Sequence, residues 1–382
     1  MLPCQRHLFD IPDDVAYLNC AYMSPLMKPV IEAGATGLAR KAHPWEITPD
    51  QFFTGSEEFR TTAARLIDAP ADCVAIVPSA SYGVATAAHN LPVRKGQRIL
   101  VLDEQFPSNY YPWQRLAGEN GASLKIVPWP EDHDWTAAVL NHLTDDVALA
   151  ALPHVQWTSG GRLDLVRIGD ACRKLGAALA LDLTQSLGAL PFSVRDVQPD
   201  FAVAANYKWL MGPYTTGLLY IAPKWHAGRP IEENWIQRAN ARDFASLILY
   251  TGNYDEGARR FDMGERSNFA LLPAATRAMK QLLEWGIAQI SLTIGAMNRQ
   301  LADAAAAELG FSVPPESLRA PHYLCLRRKA GIPAELPETL ARQKVFVSVR
   351  GSSVRATPHV YNSATDAERL ISCLREATHV AG

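Results

Sequence analysis

The chain is poor in the features that announce many functions. Its six cysteines, at positions 4, 20, 73, 172, 325 and 373, form no CxxC pair and no cluster with histidine at metal-ligand spacing. Most of them read as buried thiols, and no metal is expected. Charge of one sign is also missing. Thirty-seven Lys and Arg stand against 39 Asp and Glu, and the formal net charge of -2 points to neither nucleic acid nor a membrane surface as partner. No apolar run approaches the length of a membrane span, and Met1 to His7 lacks the continuous apolar stretch of a signal peptide, so cytoplasmic residence is the expectation. No GxGxxG follows the first candidate strand, which argues against a nicotinamide enzyme. Internal repeats are absent too.

What the chain does have is 382 residues with 48% hydrophobic content, enough for a large core and two domains. From about residue 55 to 222, short apolar runs alternate with helical patterns, the signature of a mostly parallel sheet with crossover helices. Seven strands are predicted: Cys73 to Val77, Arg98 to Leu102, Ser123 to Val127, Val147 to Leu152, Ala178 to Asp182, Phe201 to Ala204, and Gly217 to Ile221. The last follows its predecessor too closely for a crossover helix and should run antiparallel to it. From Asn268 onward Leu271, Leu272, Ala275, Met279, Leu282, Leu283 and Ile287 recur at helical spacing, predicting a long linking helix. The tail after Phe311 reads as α+β, with strands at Tyr323 to Leu326 and Val345 to Val349 and a helix from Thr365 to Ala377. The fold class is therefore α/β. A large domain is expected over 16–265 and a small α+β domain over 266–382, joined by an amino-terminal arm, 1–15.

Two of the predicted strands end in charge. The apolar run Ala177 to Leu183 carries Asp182 near its carboxyl end, and Phe201 to Ala205 is followed by Asn206-Tyr207-Lys208. Open α/β sheets keep their ligands at this edge. A surface salt bridge or a cap is one reading of such a pair. The chemical reading is that a buried lysine forms a Schiff base with an aldehyde cofactor, while a buried aspartate keeps a pyridine nitrogen protonated, and together they point to pyridoxal phosphate. After the first strand, Pro78-Ser79-Ala80-Ser81-Tyr82-Gly83 leads into a helix, and such a turn is either a serine cap or an anion site made of free N–H groups. Beyond the second strand lies the aromatic cluster Phe106 to Trp113, and beyond the fourth lies His154 to Gly161.

These motifs resemble the class V aminotransferase family, which includes cysteine desulfurases, selenocysteine lyases, kynureninases and isopenicillin N epimerases, and the resemblance covers nearly the whole chain. It implies the fold of type I pyridoxal-dependent transferases and pyridoxal 5'-phosphate as cofactor. It further implies Lys208 as the Schiff-base lysine, Asp182 as partner of the pyridinium, and Gln185 as partner of the cofactor's phenolic oxygen. Ala80 and Ser81, with Ser79 less firmly, would hold the phosphate together with Tyr207, and Phe106 would stack on the ring. Glu265-Arg266-Ser267-Asn268 is a helix cap on one reading. On the other, Asn268 reaches the phosphate of a neighbouring subunit, an interpretation extended to Trp235 and the turn Tyr214 to Gly217, which would make a homodimer with shared sites. In Val349 to Ser363, Arg355 would clamp the carboxylate of an amino-acid substrate, with Arg350 as substitute.

The same resemblance leaves the reaction open. Where persulfide-forming desulfurases place a cysteine, this chain has Gly351-Ser352-Ser353, and Gln185 stands where kynureninases carry histidine. A lyase acting at Cβ of a small amino acid, like selenocysteine or cysteine lyases without the persulfide cysteine, is the preferred expectation. An aminotransferase comes next, then an epimerase or a kynureninase-like hydrolase.

Overall fold

A computed structural model describes residues 1–380. Its centre is a seven-stranded sheet with β1 Val74–Val77, β2 Arg98–Leu102, β3 Ser123–Val127, β4 Val147–Pro153, β5 Ala178–Asp182, β6 Phe201–Ala205 and β7 Gly217–Ile221, in the order β1-β7-β6-β5-β4-β2-β3. Strands β2 to β6 pair in parallel, and β7 runs antiparallel to both β6 and β1, as the short connection after Lys208 requires. Every residue of β1, β6 and β7 is buried, the pattern of strands covered on both faces. Edge strand β3 is largely open, and Lys125 within it discourages pairing with another chain.

Because the parallel strands share one direction, the residues that follow β1, β2, β4, β5 and β6 all emerge along one edge. Asp182 is the last residue of β5, and Lys208 lies three residues past the end of β6.

A second sheet, antiparallel and three-stranded, is formed by β8 Leu324–Arg327, β9 Ser348–Arg350 and β10 Ser353–Ala356, with β10 in the middle. It shares a core with Leu301, Leu309, Phe311, Leu340, Leu370 and Leu374, and with Ala16 and Leu18 from the amino-terminal segment. The single strand expected over Val345 to Val349 is two short ones. Val345–Phe346 pairs in parallel with Ala16–Tyr17, whereas Ser348–Arg350 pairs with β10, so the chain changes partner at Val347. The long linking helix is likewise two helices, Leu271–Trp285 and Ile287–Leu309. The break falls at Gly286, whose φ of 77° lies outside helical geometry. Leu272, Ala275, Met279 and Leu282 of the first helix pack in the core of the large sheet, while Leu301, Ala305 and Leu309 of the second pack in the other.

Two loops at the carboxyl edge of the sheet touch at Gly188. Its φ is +103°, and a Cβ placed there would stand 2.2 Å from the Trp209 carbonyl oxygen. Gly188→Ala should therefore lose stability by at least about 1–3 kcal/mol from backbone strain alone. Gly118→Ala, inside the helix Tyr111–Asn120 with nothing within 4 Å of the new methyl, should gain roughly 0.5–1 kcal/mol. Thermal melts of both variants check this, and a Gly188→Ala protein that melts with the wild type would deny the close approach of the loops.

Candidate active site

Five of the loops at the carboxyl edge enclose a cavity of about 200 Å³. Ser79, Ala80, Ser81, Phe106, Trp157, Asp182, Gln185, Tyr207 and Lys208 all line it, so the structure brings together seven of the nine residues expected at the site, all but Arg355 and Asn268. A larger cleft of about 1030 Å³ runs along the opposite end of the strands, but its buried acid, Asp200, is engaged by the Leu179 N–H, the Trp225 indole and Lys224. The smaller cavity is the one that carries unspent chemistry.

Burial dominates the electrostatics there. It pulls the Lys208 amine down to about 8, with Arg355 pulling the same way and Asp182 and Cys20 opposing. Burial also raises the Asp182 carboxyl, against hydrogen bonds from Thr184 and the nearby Lys208 charge. Asp182 Oδ1 accepts from the Thr184 N–H at 2.9 Å, which fixes the carboxylate. The Lys208 Nζ stands 5.5 Å from the ring centroids of both Phe106 and Tyr207. Phe106 in turn meets Trp157 edge to face at 5.3 Å. Burial lifts the Tyr207 phenol to about 12, so it stays protonated at neutral pH.

The phosphate turn is both a cap and a candidate anion site. Ser79 Oγ caps the helix Ala80–Asn90 by accepting from the Tyr82 N–H at 3.1 Å, and it meets Ser81 Oγ at 2.9 Å. The N–H groups of Ala80 and Ser81 lie in the first turn, where no intrahelical acceptor exists, and both residues border the cavity. An acid, an amine whose pKa burial has lowered and free backbone donors thus share one small space. Pyridoxal phosphate needs those three groups, for its ring nitrogen, aldehyde and phosphate, so the residues present fit it.

Arg355 sits on β10, outside the cavity lining, with its guanidinium 5.7 Å from the Trp157 ring. Its Nη1 donates to the Trp157 carbonyl at 2.9 Å and to the Tyr323 hydroxyl at 3.0 Å, while its buried Nε has no partner. Arg350 is exposed. Asn268 does not reach the cavity of its own chain. It caps the helix Leu271–Trp285 through Oδ1 to the Ala270 and Leu271 N–H groups, and it borders a separate groove of about 670 Å³ with Trp235. Tyr214 and Thr215, expected to serve a neighbouring subunit, line the chain's own cavity. The turn into β7 follows Lys208 too closely to carry them away.

His154 is buried, with its pKa lowered to about 3 by desolvation, and contributes a main-chain N–H to the Asp182 carbonyl at 3.3 Å. Gln156 Oε1 accepts from the N–H and hydroxyl groups of Thr158 and Ser159, which shapes the turn that presents Trp157. Sequence reasoning missed Thr184, Trp209 and Tyr323. Thr184 could have been found by its place two residues after Asp182, whereas nothing in the local sequence ties Tyr323 to Arg355.

The family model for aminotransferase class-V matches residues 36–375. An uncharacterized aminotransferase YcbU of Bacillus subtilis is 26% identical over 373 residues, covering 96% of this chain and 95% of that protein. A probable cysteine desulfurase of Pyrococcus abyssi is 26% identical over 400 residues, covering 96% of each. Among solved structures, the apo cysteine desulfurase of Thermococcus onnurineus superimposes with a TM-score of 0.85 at 20% identity, over 100% of this chain and 99% of that one. The chain belongs to the class-V aminotransferase family, and it is thereby a pyridoxal-phosphate-dependent enzyme.

The lowered amine is testable without cofactor. In the cofactor-free protein, labelling of Lys208 by a small amine-reactive reagent should climb with pH and level off above about 8, because only the neutral amine reacts. Peptide mass analysis would follow it, and a profile still climbing toward pH 10.5 would place the lysine in water.

Proposed function

We propose that this enzyme acts on a small α-amino acid and removes a substituent from Cβ, without a persulfide cysteine. The observation that carries the reading is the convergence of Lys208 and Asp182 on one buried cavity. Lys208 would hold the cofactor aldehyde and Asp182 its ring nitrogen. Gln185, Tyr207, Ala80 and Ser81 would hold the phenolic oxygen and the phosphate, and Phe106 the ring face. When bound, the cofactor supplies an electron sink for the pair left at Cα.

The chain's own residues then decide what becomes of the proton. Lys208, an amine that burial leaves about half neutral at pH 8, takes it from Cα. Among the titratable groups lining the cavity, Asp182, Tyr207, Lys208 and Tyr214, this amine is the one suited to pass the proton on to a departing group. Phe106, facing Lys208 Nζ, offers no proton, which disfavours epimerisation through two opposed bases. The unpartnered Nε of Arg355 supports its role as carboxylate clamp, with the Trp157 ring of the cavity wall 5.7 Å from its guanidinium. No cysteine lines the cavity, and Cys325, buried in β8, has its thiol raised by burial, so neither supports persulfide transfer. The desulfurase name of the Pyrococcus relative agrees with chemistry at Cβ. Aminotransfer is the second reading, since it too would need a single base, which the Lys208 amine supplies.

Homodimerisation belongs to the same proposal. Leu38, Trp45, Ile248, Leu249 and Tyr250 expose large apolar side chains, with Tyr250 98% open. Asn268 and Trp235, remote from their own cavity, would serve the neighbour's. The two-domain division, 16–265 and 266–382 with the arm 1–15, is supported by the two separate cores, which the helix Ile287–Leu309 joins through Ile290 and Ile294 in one and Leu301 and Leu309 in the other. A cytoplasmic setting suits six unpaired cysteines. Among the described residues no helix is long and apolar enough to cross a membrane.

Product analysis separates the readings. With a β-substituted amino acid and no 2-keto-acid acceptor, a lyase turns over repeatedly, releasing keto acid, ammonia and the β-group in equal amounts. Arrest after one equivalent per site would favour aminotransfer. Mixing inactive Lys208→Ala with inactive Asn268→Ala subunits should restore activity that neither shows alone, and no recovery would sink the shared site.

A further inference from the structure

Lys208 is followed directly by Trp209, whose buried indole Nε1–H donates to Gln185 Oε1 at 3.0 Å. The Gln185 amide nitrogen donates to the Ala21 carbonyl at 3.2 Å. An indole N–H only donates and a main-chain carbonyl only accepts, so both contacts demand the same orientation of the amide. One amide hydrogen is left over, and Gln185 borders the Lys208 cavity. What this side chain can show there is a donor. Its main chain is held as well. His322 Nε2 meets the Gln185 carbonyl at 2.7 Å, burial lowers this imidazole to about 4, and its Nδ1 has no partner, so the neutral ring carries its proton on Nε2. Trp209 and His322 pack edge to face with centroids 4.4 Å apart.

We propose that Trp209, braced by His322, is a positioning residue that locks Gln185 as a hydrogen-bond donor toward the cofactor's ring oxygen and thereby sets the protonation state of the bound cofactor. The proposal rests on the reading that Gln185 serves that oxygen. A donor there stabilises the anionic oxygen, and without it the oxygen keeps a proton to higher pH. The indole thus acts on the cofactor without touching it. Other groups with influence on the site are Asp182, Arg355 and Cys20, which act on Lys208 through space, the phenols of Tyr207 and Tyr214, and the buried His154. All of them are unchanged in the variants below.

The test is a pH titration of the visible absorbance band of the substrate-free holoenzyme. Trp209→Phe keeps an aromatic ring against His322 and removes the N–H, so the midpoint should rise by about half to one pH unit, the size of one neutral hydrogen bond. Gln185→Leu should raise it at least as far, and adding Trp209→Phe to Gln185→Leu should raise it no further. A loss that was only structural would add in the double variant. An unchanged midpoint in Trp209→Phe beside a raised one in Gln185→Leu overturns the positioning role and leaves the placement of Gln185 standing. An unchanged midpoint in Gln185→Leu removes that placement, and the positioning role with it. Should Trp209→Phe take up no cofactor, Gln185→Glu carries the test, because a carboxylate accepts from Trp209 and has no hydrogen to offer the cavity. A wild-type midpoint in that variant overturns the proposal.

Discussion

The structure turns on the burial of one lysine amine at the carboxyl edge of a parallel sheet. An amine brought from an ordinary 10.5 to about 8 disfavours its charged form by on the order of 3 kcal/mol. The sign is that of a depressed lysine. The penalty on the folded state is present in full below pH 8 and fades as pH rises from about 8 toward 10.5. In the proposed role of Lys208, bonding of the amine to the cofactor aldehyde would remove the same penalty at neutral pH and so link cofactor uptake to stability of the fold.

The elements around Lys208 keep it buried at the edge of the cavity. β6 delivers it from a fully buried strand, and β7 turns back at once, so Tyr214 and Thr215 wall the same cavity. Gly188 lets the loop after Asp182 press on the loop after Lys208, a contact that no side chain would allow. The smaller sheet supplies Arg355, and the residue just before its strand β8 supplies Tyr323, both tied through the Trp157 carbonyl to the loop after β4. Motion of one sheet against the other would move Arg355 relative to Lys208, and the helix Ile287–Leu309 spans both cores, with Ile290 and Ile294 in the larger and Leu301 and Ala305 in the smaller.

Much of this was legible in the sequence because it is local. Strand runs, the antiparallel turn after Lys208, and the charges at strand ends are set by neighbours in the chain, and the seven strands lie within a residue of where hydropathy puts them. The break at Gly286 was less visible, because apolar residues on both sides keep helical spacing while a single backbone angle ends the helix. β10 escaped notice for a different reason. Ser353 to Ala356 is too short to show a period and becomes a strand by pairing with β8 and β9. Partners such as Trp209 with Gln185, or Tyr323 with Arg355, are created by the fold and leave no spacing to read.

Reduction of the cofactor-loaded wild type with borohydride, followed by peptide mass analysis and compared with Lys208→Ala, addresses the central claim most directly. The account predicts a coloured wild type whose visible band disappears on reduction, with a single pyridoxyl adduct on the peptide containing Lys208 and none in the variant. A protein that stays colourless with added pyridoxal phosphate, or an adduct on a different lysine, would contradict it.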